Sequence, residues 1–137
     1  MAKKILVVED VEDSRLILVL TLQRYCGYDT MEATTGSEAV EKAISGNPDL
    51  IVMDLGLPGM SGVDAAKALK ANPRTTHIPI VAHSAWSAER WGDRARDAGM
   101  IEYLQKPVPI KVMKETIEKL FLTTAHCHPC DDLSAIS

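Results

Sequence analysis

Five side chains that can bind a metal ion or hold a phosphate follow closely after short apolar runs of the sequence: Glu9, Asp10, Asp54, Ser84 and Lys106. Asp54 is the clearest case, because it ends a run of four apolar residues and precedes a Gly/Pro turn. Taken alone, an aspartate in this position is typical of a turn. In a parallel sheet, however, the carboxyl ends of the strands meet at one edge, where ligands bind. We therefore expect the five side chains to form one site.

The residue types in this set indicate phosphoryl-transfer chemistry. Three carboxylates at close range repel one another, and a divalent cation relieves that repulsion. Their oxygen atoms suit Mg²⁺ (or Mn²⁺); Mg²⁺ keeps several waters and is held by one or two carboxylates. Lys106 adds a positive charge and Ser84 a hydroxyl donor, and such groups stabilise a transferring phosphoryl group. Singly, each residue is a common cap or surface residue, so the interpretation depends on their shared position.

The elements that would position these residues alternate regularly along the chain. Apolar runs predict strands at residues 4–8, 28–33, 49–53, 78–82 and 101–104. Helical periodicity and capping signals predict helices at residues 11–25, 35–46, 61–69, 84–98 and 110–121. Strands joined by helix-length crossovers pair in parallel, with helices on both faces. The sequence therefore predicts a doubly wound α/β fold, with the second strand at an edge and the fourth helix the least firmly packed.

Apolar spacing also predicts which helix faces are buried. In the first helix, Leu16 and Leu20 are among the apolar residues at helical spacing. The stripe of the last helix comprises Ile110, Met113, Ile117, Leu120 and Phe121. A capping box at residues 35–38 marks the start of the second helix.

Composition limits the classes of function. The chain of 137 residues, 46% of them hydrophobic, suits one domain, which we place at residues 1–124. A formal charge of -4 gives no basic surface for nucleic acid. No apolar run approaches the roughly 18–20 residues that span a bilayer. Three cysteines form no disulfide framework. We expect a cytoplasmic protein that binds neither nucleic acid nor membrane.

Residues 125–137 lose periodicity, and we expect a flexible tail. Within it, the segment from His126 to Cys130 has soft metal ligands close together but lacks the second half of a closed zinc site. Metal binding, an intermolecular contact and disorder all stay open, and no function is assigned to this segment.

The order of several motifs carries a resemblance to a known family. These motifs are Glu9-Asp10, Asp54, Pro58, Gly62, Ser84-Ala85 and Lys106-Pro107. In this order they resemble a response-regulator receiver domain over about residues 3 to 122, most similar to receivers that stand alone as single domains. The resemblance implies a flavodoxin-like (βα)5 fold with five parallel strands in the order 2-1-3-4-5.

The resemblance also implies a role for each site residue. Asp54 would be the nucleophile and phosphorylation site, taking a phosphoryl group from a phosphohistidine of a histidine kinase or phosphotransfer protein. Asp10, Asp54 and the backbone carbonyl of Gly56 would bind Mg²⁺ or Mn²⁺, with Glu9 assisting. Ser84 and Lys106 would hold the phosphoryl oxygens. The peptide bond between Lys106 and Pro107 would be cis.

Further implied positions concern switching and lifetime. Tyr103 would be an aromatic switch that turns inward as Ser84 moves toward the phosphate, and a downstream protein would bind the face formed by the fourth helix, fifth strand and fifth helix. Gly56 and Trp86 would flank the phosphoryl group and tune its hydrolysis, with Trp86 shielding it from water. His83 would project to the opposite side of its strand from Ser84.

Three other functions compete with this interpretation. Phosphatases with an aspartate nucleophile carry a second aspartate two residues later, where this chain has Gly56. A flavin-binding protein of the same topology needs phosphate donors where residues 9–13 are acidic. An interaction module that works without phosphorylation stays open, because an intact site need not be used.

Overall fold

The structure, a computed structural model, describes residues 2–126, with side chains described as far as residue 123. Its strands are β1 (Lys4–Val8), β2 (Asp29–Ala33), β3 (Leu50–Met53), β4 (Ile80–Ser84) and β5 (Glu102–Gln105). Its helices are α1 (Glu12–Leu20), α2 (Gly36–Gly46), α3 (Gly62–Ala71), α4 (Ala88–Asp97) and α5 (Ile110–His126). The strands form one parallel sheet in the order β2-β1-β3-β4-β5, which confirms the predicted topology. Residues 127–130 of the cysteine-rich segment lie outside the described residues, as does the rest of the predicted tail after residue 126.

Both faces of the sheet are covered, because side chains of a strand point alternately to its two faces. In β1, Leu6 and Val8 pack with α2, α3 and α4, whereas Ile5 and Val7 pack with α1 and α5. All four residues of β3 are buried. This burial explains why β3 is a continuous apolar run rather than an alternating one.

The start of α3 is fitted tightly against the end of β3. Ser61 caps the helix by accepting a hydrogen bond from the Asp64 N–H at 3.1 Å. At Gly62, a Cβ atom would lie only 2.1 Å from the backbone carbonyl oxygen of Asp54. Only glycine therefore allows α3 to begin this close to the loop that carries Asp54.

The capping box at the start of α2 is present. The Thr35 hydroxyl accepts a hydrogen bond from the Glu38 N–H at 3.0 Å, while the Glu38 carboxylate accepts one from the Thr34 N–H at 2.7 Å. The side chain of Glu38 thus reaches back one residue further than in the standard box.

The first helix differs from its prediction. The α-helix ends at Leu20, and residues Thr21–Tyr25 continue as a wider, π-helical turn. Leu16 is 53% exposed, whereas Leu18 and Leu22 are buried. Because apolar residues run almost continuously from Leu16 to Leu20, spacing alone could not identify the buried face.

The fourth strand is longer at its carboxyl end than predicted, and the next helix begins later. Ser84 belongs to β4, where it pairs with Gln105, and α4 begins only at Ala88. Pairing continues to this point because the Lys106 N–H donates to the Ser84 carbonyl at 2.8 Å. In α4 only Ala95 is buried, in agreement with the weak packing expected there.

In α5 the buried stripe is present at Met113, Ile117 and Leu120, but Ile110 is 43% exposed because the first turn borders an open groove. No helix in the described part of the chain is long and apolar enough to cross a lipid bilayer.

Candidate active site

The carboxyl edge of the sheet brings three acidic side chains together. Glu9, Asp10 and Asp54 each place a carboxylate oxygen within 4.8 Å of the other two. The reason is the register of β1 and β3, in which Val8 pairs with Met53 and the Asp54 N–H donates to the Val8 carbonyl at 3.0 Å. The residue that follows each strand is therefore held beside its counterpart by the backbone ladder.

Glu9 is the most confined member of this acid cluster, with 2% of its surface exposed. Its carboxylate accepts hydrogen bonds from the Lys106 ammonium at 2.5 Å and from the Val11 N–H at 3.3 Å. Burial raises the pKa of Glu9; Lys106 opposes that rise and the negative charge of Asp54 adds to it. A cation near Glu9 would relieve the cost of keeping it ionised.

Lys106 links two of the acids. Its Nζ atom lies 2.5 Å from a Glu9 oxygen and 3.7 Å from Oδ2 of Asp54. The lysine is brought here by the end of β5, and the Lys106–Pro107 peptide is cis, as the resemblance implies. A single mobile ammonium thus stands beside the carboxylate that would react.

Ser84 and Tyr103 form the other side of the site. Ser84 is 1% exposed, and its hydroxyl accepts a hydrogen bond from the Trp86 N–H at 3.1 Å. The Tyr103 hydroxyl donates to the Trp86 carbonyl at 2.8 Å. Burial raises the pKa of Tyr103, and a hydrogen bond with the Ser84 side chain opposes that rise. The two residues expected to switch are therefore connected through Trp86, whose backbone is bonded to both.

Gly56 and Trp86 lie against each other beside Asp54. The Gly56 N–H donates to Oδ1 of Asp54 at 3.3 Å. A Cβ atom at Gly56 would lie 3.0 Å from Cζ2 of Trp86, so the indole ring rests on the space that a side chain would fill. The ring therefore lies next to the candidate nucleophile.

Comparison with known proteins identifies the family of this chain. Residues 5–118 match the family model described as response regulator receiver domain. The chain belongs to the response regulator receiver family. Over 118 residues this receiver is 36% identical to the polar-differentiation response regulator DivK of Brucella ovis, and also 36% identical to the chemotaxis protein CheY of Pseudomonas aeruginosa. Each of these alignments covers 86% of this chain and 95% of the relative.

Solved receiver structures are similar to this one in fold. The chemotaxis protein CheY4 of Vibrio cholerae superposes with a TM-score of 0.81 at 26% identity, covering 87% of this chain and 98% of that protein. The receiver domain of a sensor histidine kinase from Pseudomonas aeruginosa PAO1 superposes with a TM-score of 0.80 at 28% identity. That alignment covers 87% of this chain and 97% of the other, whose structure has a magnesium ion coordinated in the active-site cleft.

The donor atoms of this receiver fit a hard divalent cation. The acid cluster offers carboxylate oxygens alone, without histidine or cysteine, and such a set suits Mg²⁺ or Mn²⁺ rather than Zn²⁺. Gly56 lies two residues after Asp54 in the loop, and its N–H donates to Oδ1 of Asp54. The raised pKa of Glu9 points the same way, since the buried carboxylate has only one strong positive partner.

Arg15 supports the site and was not identified from the sequence. Its guanidinium donates to the Glu9 carbonyl at 3.0 Å and forms an ion pair with Glu32 of β2 at 3.0 Å. It therefore ties α1 to the turn that presents the acids. Its position four residues after Val11, within the first helix, resembled that of any surface arginine.

His83 lies on the opposite face of β4 from Ser84. Because strand residues alternate, it follows Val81 to the face covered by α1 and α5. Burial and the charge of Lys106 lower the pKa of His83 to about 4. Its imidazole is therefore neutral near pH 7.

An apolar groove of about 560 Å³ opens beside the site between α1 and the start of α5. Its lining includes Ile17, Leu18, His83, Lys106, Val108 and Ile110. Lys106 lines the groove, and its Nζ atom lies 3.7 Å from Oδ2 of Asp54.

Proposed function

We propose that this receiver accepts a phosphoryl group on Asp54 from a phosphohistidine of a histidine kinase or phosphotransfer protein, and signals by changing its binding to a downstream protein. The observation that carries this proposal is the position of the Lys106 ammonium, 3.7 Å from Oδ2 of Asp54 and bonded to Glu9. A carboxylate nucleophile with a lysine ammonium and a buried glutamate beside it is suited to phosphoryl transfer.

The transfer would form one bond and break one. A carboxylate oxygen of Asp54 bonds to phosphorus as the bond from phosphorus to the histidine nitrogen breaks, and the imidazole leaves with the electron pair and takes a proton from solvent. Lys106 exchanges its contact with Asp54 for one with a phosphoryl oxygen, and the Ser84 hydroxyl donates to another. Glu9, Asp10, Asp54 and the Gly56 carbonyl would hold Mg²⁺, which neutralises negative charge that develops on the phosphoryl oxygens.

Several features favour storage of the phosphate over turnover. Gly56 supplies no second carboxylate two residues after Asp54, where phosphatases of similar chemistry carry their acid/base. The Trp86 indole lies over the same residue and takes up space that water would need. We therefore favour a phosphorylated signalling state over hydrolysis of small phosphate esters.

We assign the partners of this receiver to two surfaces. The apolar groove would offer a protein donor a docking surface beside Lys106, whose ammonium lies 3.7 Å from Asp54. The downstream protein is assigned to the face of α4, β5 and α5, because Tyr103 of β5 connects that face to Ser84 and Trp86.

The test is phosphorylation by a small-molecule donor. We expect the receiver, mixed with acetyl phosphate and Mg²⁺, to gain the mass of one phosphoryl group, and to lose it on treatment with hydroxylamine. Asp54→Asn should gain none, whereas Asp64→Asn, a matched control at the start of α3, should label like the wild type. Labelling that persists in Asp54→Asn would contradict the proposal, and an unlabelled wild type would favour an interaction module that works without phosphate.

A further inference from the structure

The Trp86 indole is held in place by a second tryptophan. The rings of Trp86 and Trp91 have centroids 4.6 Å apart and planes inclined by 36°. The guanidinium carbon of Arg94 lies over the Trp91 ring, 4.7 Å from its centroid. Gly56, Trp86, Trp91 and Arg94 therefore form one continuous stack that leads from the Asp54 loop onto α4.

Trp91 is the better anchored of the two rings. It belongs to the first turn of α4, where its N–H donates to the Ser87 carbonyl at 2.9 Å, and it packs against the buried core. The same turn is fixed to β5, since the Ala88 N–H donates to the Gln105 side chain at 2.9 Å. Both the helix and the core therefore hold Trp91 in place.

The Trp86 ring depends on stacking for its position. The backbone of Trp86 is bonded to Ser84 and Tyr103, but the residue is 39% exposed. Among the described residues, none accepts a hydrogen bond from its indole N–H. The indole packs against the open Cα of Gly56 and against the tilted ring of Trp91. Without Trp91, nothing on α4 would keep the indole against Gly56.

We infer that Trp91 is a positioning residue that holds the Trp86 indole beside Asp54 and so sets how fast water reaches the acyl phosphate. The inference rests on the proposed function, because it concerns the lifetime of the phosphate on Asp54. Trp91 touches neither the phosphate nor Asp54 and acts through Trp86. Stacking on Trp91 modestly raises the fraction of time that the Trp86 ring stays in place. Because the ring in this position excludes water, that fraction affects the rate of acyl phosphate hydrolysis.

The test measures the half-life of the acyl phosphate in purified receiver after the phosphodonor is removed. We expect Trp91→Ala and Trp86→Ala each to shorten the half-life by roughly three- to tenfold. Trp91→Phe, which keeps an aromatic face, should stay within about twofold of the wild type. The double variant should decay no faster than Trp86→Ala alone, because both substitutions remove the same cover. Tyr25→Ala, which removes a 61% exposed aromatic far from the site, should not change the half-life.

A second measurement examines the stack without phosphate. Two indoles this close couple their electronic transitions, so the wild type should show an exciton couplet in far-ultraviolet circular dichroism. Trp86→Ala and Trp91→Ala should each abolish it, whereas Tyr25→Ala should keep it.

Three outcomes would overturn the inference. The first is a wild type without the couplet. The second is an unchanged half-life in Trp91→Ala in a receiver that phosphorylates normally, which leaves the proposed function intact. The third is a double variant whose acyl phosphate hydrolysis is accelerated by the product of the factors measured for the two single variants. A wild type that takes no phosphate at all would overturn the proposed function and this inference together.

Discussion

The two halves of the site are built in different ways. The acid half, formed by Glu9, Asp54 and Lys106, lies at the ends of paired strands and is fixed by the backbone ladder. The cover half is formed by the side chains of Trp86 and Tyr103, with Trp91 behind them, and a single hydrogen bond and a ring stack hold these side chains. Glu9 is 2% exposed and Trp86 39% exposed.

The helices next to the two halves also differ in how firmly they are packed. Helix α3, next to the Asp54 loop, buries Gly62, Ala65, Ala66 and Leu69, whereas α4 buries only Ala95. A segment with few buried apolar contacts rearranges at lower cost. The difference teaches that the rigid half of the site is suited to the reaction and the weakly packed half to reporting it. Substitutions in the acid half should change the rate of phosphorylation, and those in the cover half should change the lifetime and the readout of the phosphorylated state.

The largest effect is expected at Lys106. Replacing it with methionine keeps the aliphatic stem beside the groove and removes the ammonium that faces Asp54. We expect the rate of labelling by acetyl phosphate to fall by roughly 100-fold, the usual cost of one preorganised charge at a transition state. The matched control is Lys111→Met, an exposed lysine in the first turn of α5. If Lys106→Met were labelled at a rate within about threefold of the wild type, Lys106 would have no role in the reaction.

An intermediate effect is expected at Glu9, on stability. Because burial raises its folded pKa above the ordinary 4.5, the fold favours protonated Glu9. The resulting contribution to the free energy of unfolding is complete below pH 4.5 and is lost as pH rises through the raised pKa. Glu9→Gln should remove this loss. In the absence of metal, the unfolding free energy of the variant should fall less from acid to neutral pH than that of the wild type, as urea titrations would show.

Magnesium provides the second part of the Glu9 test. A cation that binds only the folded wild type should add about 2.7 kcal/mol when its concentration is about one hundred times its dissociation constant. Glu9→Gln should gain clearly less at the same concentration. If the variant gained as much as the wild type, and its unfolding free energy had the same pH dependence, Glu9 would belong neither to the cation site nor to the acid half of the site.

The smallest effect is expected at Tyr103. Tyr103→Phe removes the hydrogen bond to the Trp86 carbonyl and leaves the ring in place. We expect the unfolding free energy to fall by about 1 kcal/mol or less, and the labelling rate to stay within about twofold of the wild type. Urea unfolding and acetyl phosphate labelling give the two values. A tenfold slower labelling rate would place Tyr103 in the reaction and break the division between the two halves.

The acid half was accessible from the sequence for a physical reason. Each of its residues comes shortly after a strand, and parallel strands all end at one edge, so order along the chain implies proximity in space. The five strands and their order were predicted on the same basis. The positions of Glu9, Asp54 and Lys106 required no knowledge of side-chain orientation.

The cover half was not accessible to the same extent, because it depends on angles that sequence spacing does not determine. The stack of Trp86 on Trp91 requires β4 to continue to Ser84 and α4 to begin as late as Ala88, and the predicted helix began four residues too early. Arg15 likewise reaches the Glu9 carbonyl through the orientation of α1.

The most direct test of the central claim is to locate the phosphate chemically. Receiver labelled with acetyl phosphate and Mg²⁺ is treated with sodium borohydride, which reduces an aspartyl phosphate to homoserine, and its peptides are sequenced by mass spectrometry. We predict homoserine at position 54 and unmodified acids at positions 9 and 10. Reduction at Asp10 or Glu9, with residue 54 recovered as aspartate, would contradict the assignment of Asp54 as the phosphoryl acceptor.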